Sequence, residues 1–161
     1  LWTNVITFNE DRVVAGLDVS EYKSPLFATM PFTEIRVGFF GPRTGTTISW
    51  GSFSYSASSL LSCFADGVYK QAGFDRNGWK SLVGNGSLQN NCNRAGFNAS
   101  ANPSSVRLGI LANEQNDCNT PDSWIGFGGR YGGFSAGNRC AASTCDNGNL
   151  SYSAFGYIMV R

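Results

Sequence analysis

Short runs of alternating apolar and small polar residues recur along this chain, each closed by a cluster of Gly, Asn, Ser or Pro. Glu34-Ile35-Arg36-Val37-Gly38-Phe39 and the stretch from Thr47 to Tyr55 carry the period of two that a half-buried strand requires. Val106 to Leu111, Trp124 to Phe127 and Ala154 to Val160 are further strand-length apolar runs. Trp2 to Phe8 alternates more loosely, and Val13 to Leu17 follows a short charged turn. Turn clusters such as Gly41-Pro42-Arg43-Thr44-Gly45 and Asn147-Gly148-Asn149 separate them. Two short helices fit between strands. One carries Leu60, Leu61 and Phe64 behind a Ser56 or Ser58 cap and ends at Asp66-Gly67. The other runs from Gly78 to Val83 behind Asn77, with Gly84 in the left-handed closing position. Glu34–Phe39 and Ser105–Ile110 share an apolar-Arg-apolar-Gly-apolar pattern, which suits two neighbouring central strands, although strand patterns of this length also recur by chance.

The expected fold class is therefore mainly β: antiparallel sheets with one or two short helices and long loops tied by disulfides. At 161 residues the chain is the size of one domain, and no linker divides it. Residues 1–161 read as a single compact extracellular domain. No run reaches the roughly 20 apolar residues of a membrane-spanning helix, so no membrane insertion is expected. The first residue is Leu rather than Met, as in a processed form.

Composition narrows the chemistry. A formal charge of +1 supplies no electrostatic attraction for nucleic acid or an anionic membrane. Histidine is absent, which removes Ser-His-Asp and Cys-His nucleophilic sites and every His-ligated zinc or haem. No phosphate-binding glycine loop is present. The chain is not expected to be an enzyme.

Cys63, Cys92, Cys118, Cys140 and Cys145 are spaced unlike any zinc module and sit among Ser, Asn, Gly and Asp. Disulfides in an oxidising compartment are expected, hence a secreted or cell-surface protein. Cys63 with Cys92 is the first pairing, leaving Cys118 to choose between Cys140 and Cys145 and one thiol for another chain. Sequons at Asn85, Asn98 and Asn149 fit secretion and place those segments at the surface.

The densest polar segment runs from Asn113 to Ser123. Glu114, Asp117 and Asp122, with Asn113, Asn116 and Asn119, offer the hard oxygen donors that calcium takes in groups of six to eight. Asp146 joins them if Cys118 is tied to Cys140 or Cys145. Sugar hydroxyls complete the shell of an exposed calcium, and aromatic faces meet the apolar face of a sugar ring. Trp124, Tyr131 and Phe134 lie in or just beyond this segment; Trp124 suits the core, while the Gly-flanked Tyr131 and Phe134 suit the surface. Carbohydrate is the expected partner.

Val106-Arg107-Leu108, Ala112-Asn113-Glu114, Cys118-Asn119-Thr120, Ile125-Gly126-Phe127-Gly128-Gly129 and the terminal apolar run ending in Val160-Arg161 resemble the intelectin (X-type lectin) branch of the fibrinogen-related proteins. The resemblance covers about the C-terminal third. It implies Asn113, Glu114, Asn119 and Asp122 at calcium-ligand positions, with a sugar diol completing the shell. The family's histidine beside the ion has no counterpart here. Weak single sites usually act several together, so a homo-oligomer or a place in a larger surface protein is expected. The alternative is a structural or adhesive subunit of an extracellular assembly.

Overall fold

A computed structural model describes residues 1–15 and 17–161. Two antiparallel sheets form the body. The first has three strands in the order β2-β1-β9: β1 (Phe32–Phe40), β2 (Ser49–Ala57) and β9 (Phe155–Val160). The second has six strands, β3 to β8, in chain order: β3 (Lys70–Gln71), β4 (Asn91–Ser100), β5 (Ser105–Asn113), β6 (Ser123–Phe127), β7 (Ala136–Cys140) and β8 (Leu150–Ser153). Among the described residues three short α-helices connect them: α1 (Leu26–Thr29), α2 (Leu60–Phe64) and α3 (Arg76–Leu82). None is long and apolar enough to cross a membrane among the described residues.

The alternating pattern buries one face of β1, where Ile35, Val37 and Phe39 are fully enclosed. They meet Leu108 and Ile110 of β5 and Ile125 and Phe127 of β6 in one core. Phe39 and Phe127 stack across the two sheets at 4.4 Å between ring centroids. Helices α2 and α3 plug the core with Phe64, Trp79 and Leu82. Ser59, rather than Ser56 or Ser58, caps α2, in a reciprocal box with Ser62. Asp75, rather than Asn77, caps α3 by accepting from the Gly78 amide at 2.8 Å. Gly84 closes that segment at φ +67°, as the sequence suggests.

The two strands sharing the Arg-Gly pattern lie in different sheets, so they are not neighbours. What the second copy marks is a row of glycines. Gly96, Gly109, Gly126 and Gly137 face one another across β4, β5, β6 and β7. Three of them hold φ of +149°, +154° and +129°, values closed to ordinary side chains. A Cβ on Gly109 would overlap the Ile125 carbonyl and lie 2.7 Å from the Gly126 Cα. The strands are packed backbone against backbone along this line.

Several expectations are corrected. Trp2 to Phe8 forms no strand; its one bridge joins Phe8 to Lys23. Residues 13–15 end a 3-10 helix (Glu10–Ala15) rather than starting a strand, and Gly16 lies outside the described residues. The disulfides are Cys92–Cys118 and Cys140–Cys145. Cys63 is the unpaired cysteine, on the buried face of α2, 1% exposed, with its thiol against the Ser59 carbonyl at 3.5 Å. Burial pushes that thiol up to about 11, so it is neither nucleophilic nor placed to join another chain.

Candidate functional site

The Asn113–Ser123 segment links β5 to β6 and is pinned at Cys118 to the start of β4. Inside it, Asn113 is buried and donates to the Asp117 carboxylate at 3.3 Å and the Asp117 carbonyl at 3.2 Å. The same Asp117 oxygen accepts from the Asn119 amide at 2.8 Å. This is the side-chain-to-backbone turn that Asp and Asn favour. Glu114 accepts from Gln89 and from Gln115, each at 2.6 Å. The carboxylate of Asp122 and the side-chain amides of Asn116 and Asn119 make no hydrogen bond among the described residues.

Gln89 organises this end of the molecule and has no signal in the sequence, where Gln89-Asn90-Asn91 reads as surface. It is fully buried and bonds Glu114, Thr144, the Asp122 amide and Ser123 through its side chain. Glu114 and Asp122 are thus brought to one buried amide, with Asn119 and Asp117 in the adjoining turn.

Asp146 is not brought to them. Cys118 pairs with Cys92, so no disulfide ties the Asp146 turn to the loop, and the Asp146 carboxylate makes no hydrogen bond with the loop's donors among the described residues. It instead holds Arg76 and Lys80, each at 2.7 Å, and the Leu88 amide at 3.0 Å. Burial opposes the charge, but the bonds from Lys80, Leu88 and Arg76 outweigh it and hold the pKa down to about 2. A carboxylate depressed in the folded state stabilises fully above its unfolded pKa, roughly 3.9, and loses that contribution as pH falls through the folded value. With solvent screening the effect is about 1 kcal/mol. Thermal unfolding measured between about pH 4 and about pH 2 should show this loss in the wild type and a flatter profile in Asp146→Asn. Equal slopes would contradict the assignment.

No group of three or more Asp, Glu, Cys or His residues able to hold a metal ion occurs among the described residues. The calcium donors expected at Asn113, Glu114, Asp117 and Asp146 are engaged by protein partners, so the loop alone does not supply six to eight free oxygens.

The aromatic residues separate in the way their surroundings dictate. Trp124 is fully buried, and its ring fills the space over Gly129. It is a core residue and cannot stack on a ligand, a correction to its place in the expected set. Phe134 is half-buried against it at 5.2 Å. Tyr131 is 45% exposed. Its backbone holds φ +74°, a left-handed conformation that a bulky residue rarely adopts. The Trp124 indole fixes it there by donating to the Tyr131 carbonyl at 2.9 Å. Arg139 of β7 lies 5.1 Å from the Tyr131 ring centre. It bonds Ser151 at 2.7 Å, and its buried Nε has no partner among the described residues. Arg139 is the second site residue that sequence reading missed.

The sequons divide too. Asn85 and Asn149 are exposed. Asn98 is 4% exposed and donates to the carbonyls of Cys63 and Val68 at 3.1 Å each, so it is not a surface acceptor. No protein-family model, no curated protein and no solved structure matches this chain.

Proposed function

We propose that this is an extracellular recognition domain that binds carbohydrate, with Tyr131 as the stacking platform. The observation that carries this reading is an exposed tyrosine held at positive φ by a buried tryptophan. Such a backbone costs on the order of 1–2 kcal/mol, and the conformation keeps an aromatic face in solvent that burial would otherwise reward. The Arg139 guanidinium beside the ring suits a ligand rich in oxygen acceptors. A sugar offers both, an apolar ring face and hydroxyls. The two disulfides fit an oxidising compartment, and the intelectin resemblance points to the same ligand class. In this reading a calcium ion would be held by Asn119 and Asp122, whose side chains make no hydrogen bond among the described residues, with the sugar's own hydroxyls supplying the remaining oxygens.

Screening immobilised glycans in calcium and in excess EDTA tests the proposal. Binding is expected, and Tyr131→Ala should weaken it tenfold or more, about 1.4 kcal/mol. Loss of binding in EDTA supports the calcium arm, and survival in EDTA removes it. Silence in both buffers from folded protein overturns the sugar reading. A second reading, a subunit of an extracellular assembly, is favoured by one observation. Among the described residues, eight of the eleven exposed large apolar side chains lie between Leu1 and Leu26. Concentration-dependent association without glycan binding would put it ahead.

A further inference from the structure

The segment before β1 crosses the side of the molecule next to β9, and a cavity of about 500 Å³ lies beneath it. Trp2, Phe8, Phe27, Met30, Phe127 and Ile158 are among its walls, and roughly 300–1,000 Å³ is the usual size of a small-molecule site. One charged group inside is buried. Lys23 is 5% exposed and packs its ammonium over the Phe27 ring at 4.5 Å. Its Nζ donates to the Leu1 and Asn4 carbonyls at 2.7 Å each and to the Asn4 side-chain oxygen at 3.0 Å. These partners are neutral. Lys23 forms no ion pair among the described residues, and Glu21, the other charged side chain on the wall, is exposed. A buried ammonium without a carboxylate is an uncompensated charge.

We infer that this cavity binds a soluble anionic amphiphile, an unbranched apolar chain ending in a carboxylate, with the chain in the cavity and the carboxylate on Lys23. The carboxylate takes the place of the Asn4 side-chain oxygen, the longest of the three contacts, and supplies the missing negative charge. A peptide strand added to β9 fits less well, because the covering segment bridges the approach to that strand, where the Val19 amide donates to the Tyr157 side-chain hydroxyl at 3.1 Å.

Decanoate and decyltrimethylammonium carry the same chain with opposite charges, so the wild type alone supplies the first test. Displacement of an apolar fluorophore should show decanoate binding at least tenfold more tightly, and Lys23→Met, which keeps the stem over Phe27, should abolish the preference. If Lys23→Met fails to fold, methyl NMR of the wild type decides, with Met30 and Ile158 titrating at a decanoate concentration at least tenfold below that needed for the cation. Equal binding of both amphiphiles, or none by either at millimolar concentration, overturns the inference. So does association with anionic vesicles but not with free decanoate, which would assign the surface to a membrane.

Discussion

Replacing Gly126 by alanine is expected to destabilise this protein by about 4 kcal/mol. Gly126 sits at φ +154°, and its Cβ would overlap the Leu108 carbonyl and lie 2.7 Å from the Gly109 Cα. Both atoms belong to the backbone of β5, so no rotamer change makes room. The strand must separate from its neighbour or change conformation. Separation breaks a ladder flanked by Leu108 paired with Phe127 and Ile110 paired with Ile125, all core residues. Strain at a special backbone position combined with overpacking belongs to the few mechanisms that reach this size. For a chain of this length the melting temperature should fall by at least about 8 °C. Gly133→Ala is the matched control within the same half of the chain, since its Cβ would meet nothing within 4 Å. That variant should lose no more than about 2 kcal/mol, from its positive φ alone. Equal losses at the two positions would show that the glycine row is not a line of backbone contact.

Removing the Cys92–Cys118 bridge by paired serine substitution is expected to cost about 3 kcal/mol, and the Cys140–Cys145 bridge less. The first closes 26 residues and the second 5, and a longer closed loop restricts the unfolded chain more. The longer bridge also holds native strain in place. Cys92 and Asn93 both have positive φ, at +67° and +52°, where β4 slips its register against β5. Without the bridge the start of β4 and the Asn113–Ser123 segment are joined only by hydrogen bonds, such as that from Asn91 to the Glu114 carbonyl. Unfolding by urea should show a lower midpoint, with a somewhat steeper slope because the unfolded chain without the bridge exposes more surface. A smaller loss for Cys92–Cys118 than for Cys140–Cys145 would contradict this ranking.

The sheets were legible where burial is one-sided. β1 and β2 alternate because one face of each meets the core, and β5, β6 and β9 are apolar enough to read as strands. β4 was not legible. Asn91-Cys92-Asn93-Arg94 looks like a loop, and only the bridge and the bulge make a strand of it. β7 (Ala-Gly-Asn-Arg-Cys) and β8 (Leu-Ser-Tyr-Ser) are too short to read as strands; β7 forms on the edge of β6, and β8 on the edge of β7. Trp2 to Phe8 shows the converse: alternation without a partner strand gives a single bridge. At the candidate site, Tyr131 could be singled out from its flanking glycines, whereas Gln89 and Arg139 depend on contacts between distant segments. Pairing Cys118 with Cys92 was likewise beyond reach, because cysteine spacing does not fix connectivity.

In the proposed reading, the exposed Tyr131 keeps its left-handed backbone for a ligand. Tyr131→Gly tests it most directly, since glycine accepts the left-handed backbone and removes only the ring. The measurement is glycan binding and thermal stability of this variant beside the wild type. Binding lost with a melting temperature equal to or above that of the wild type is the expected result. Glycan binding retained at wild-type strength would contradict the claim.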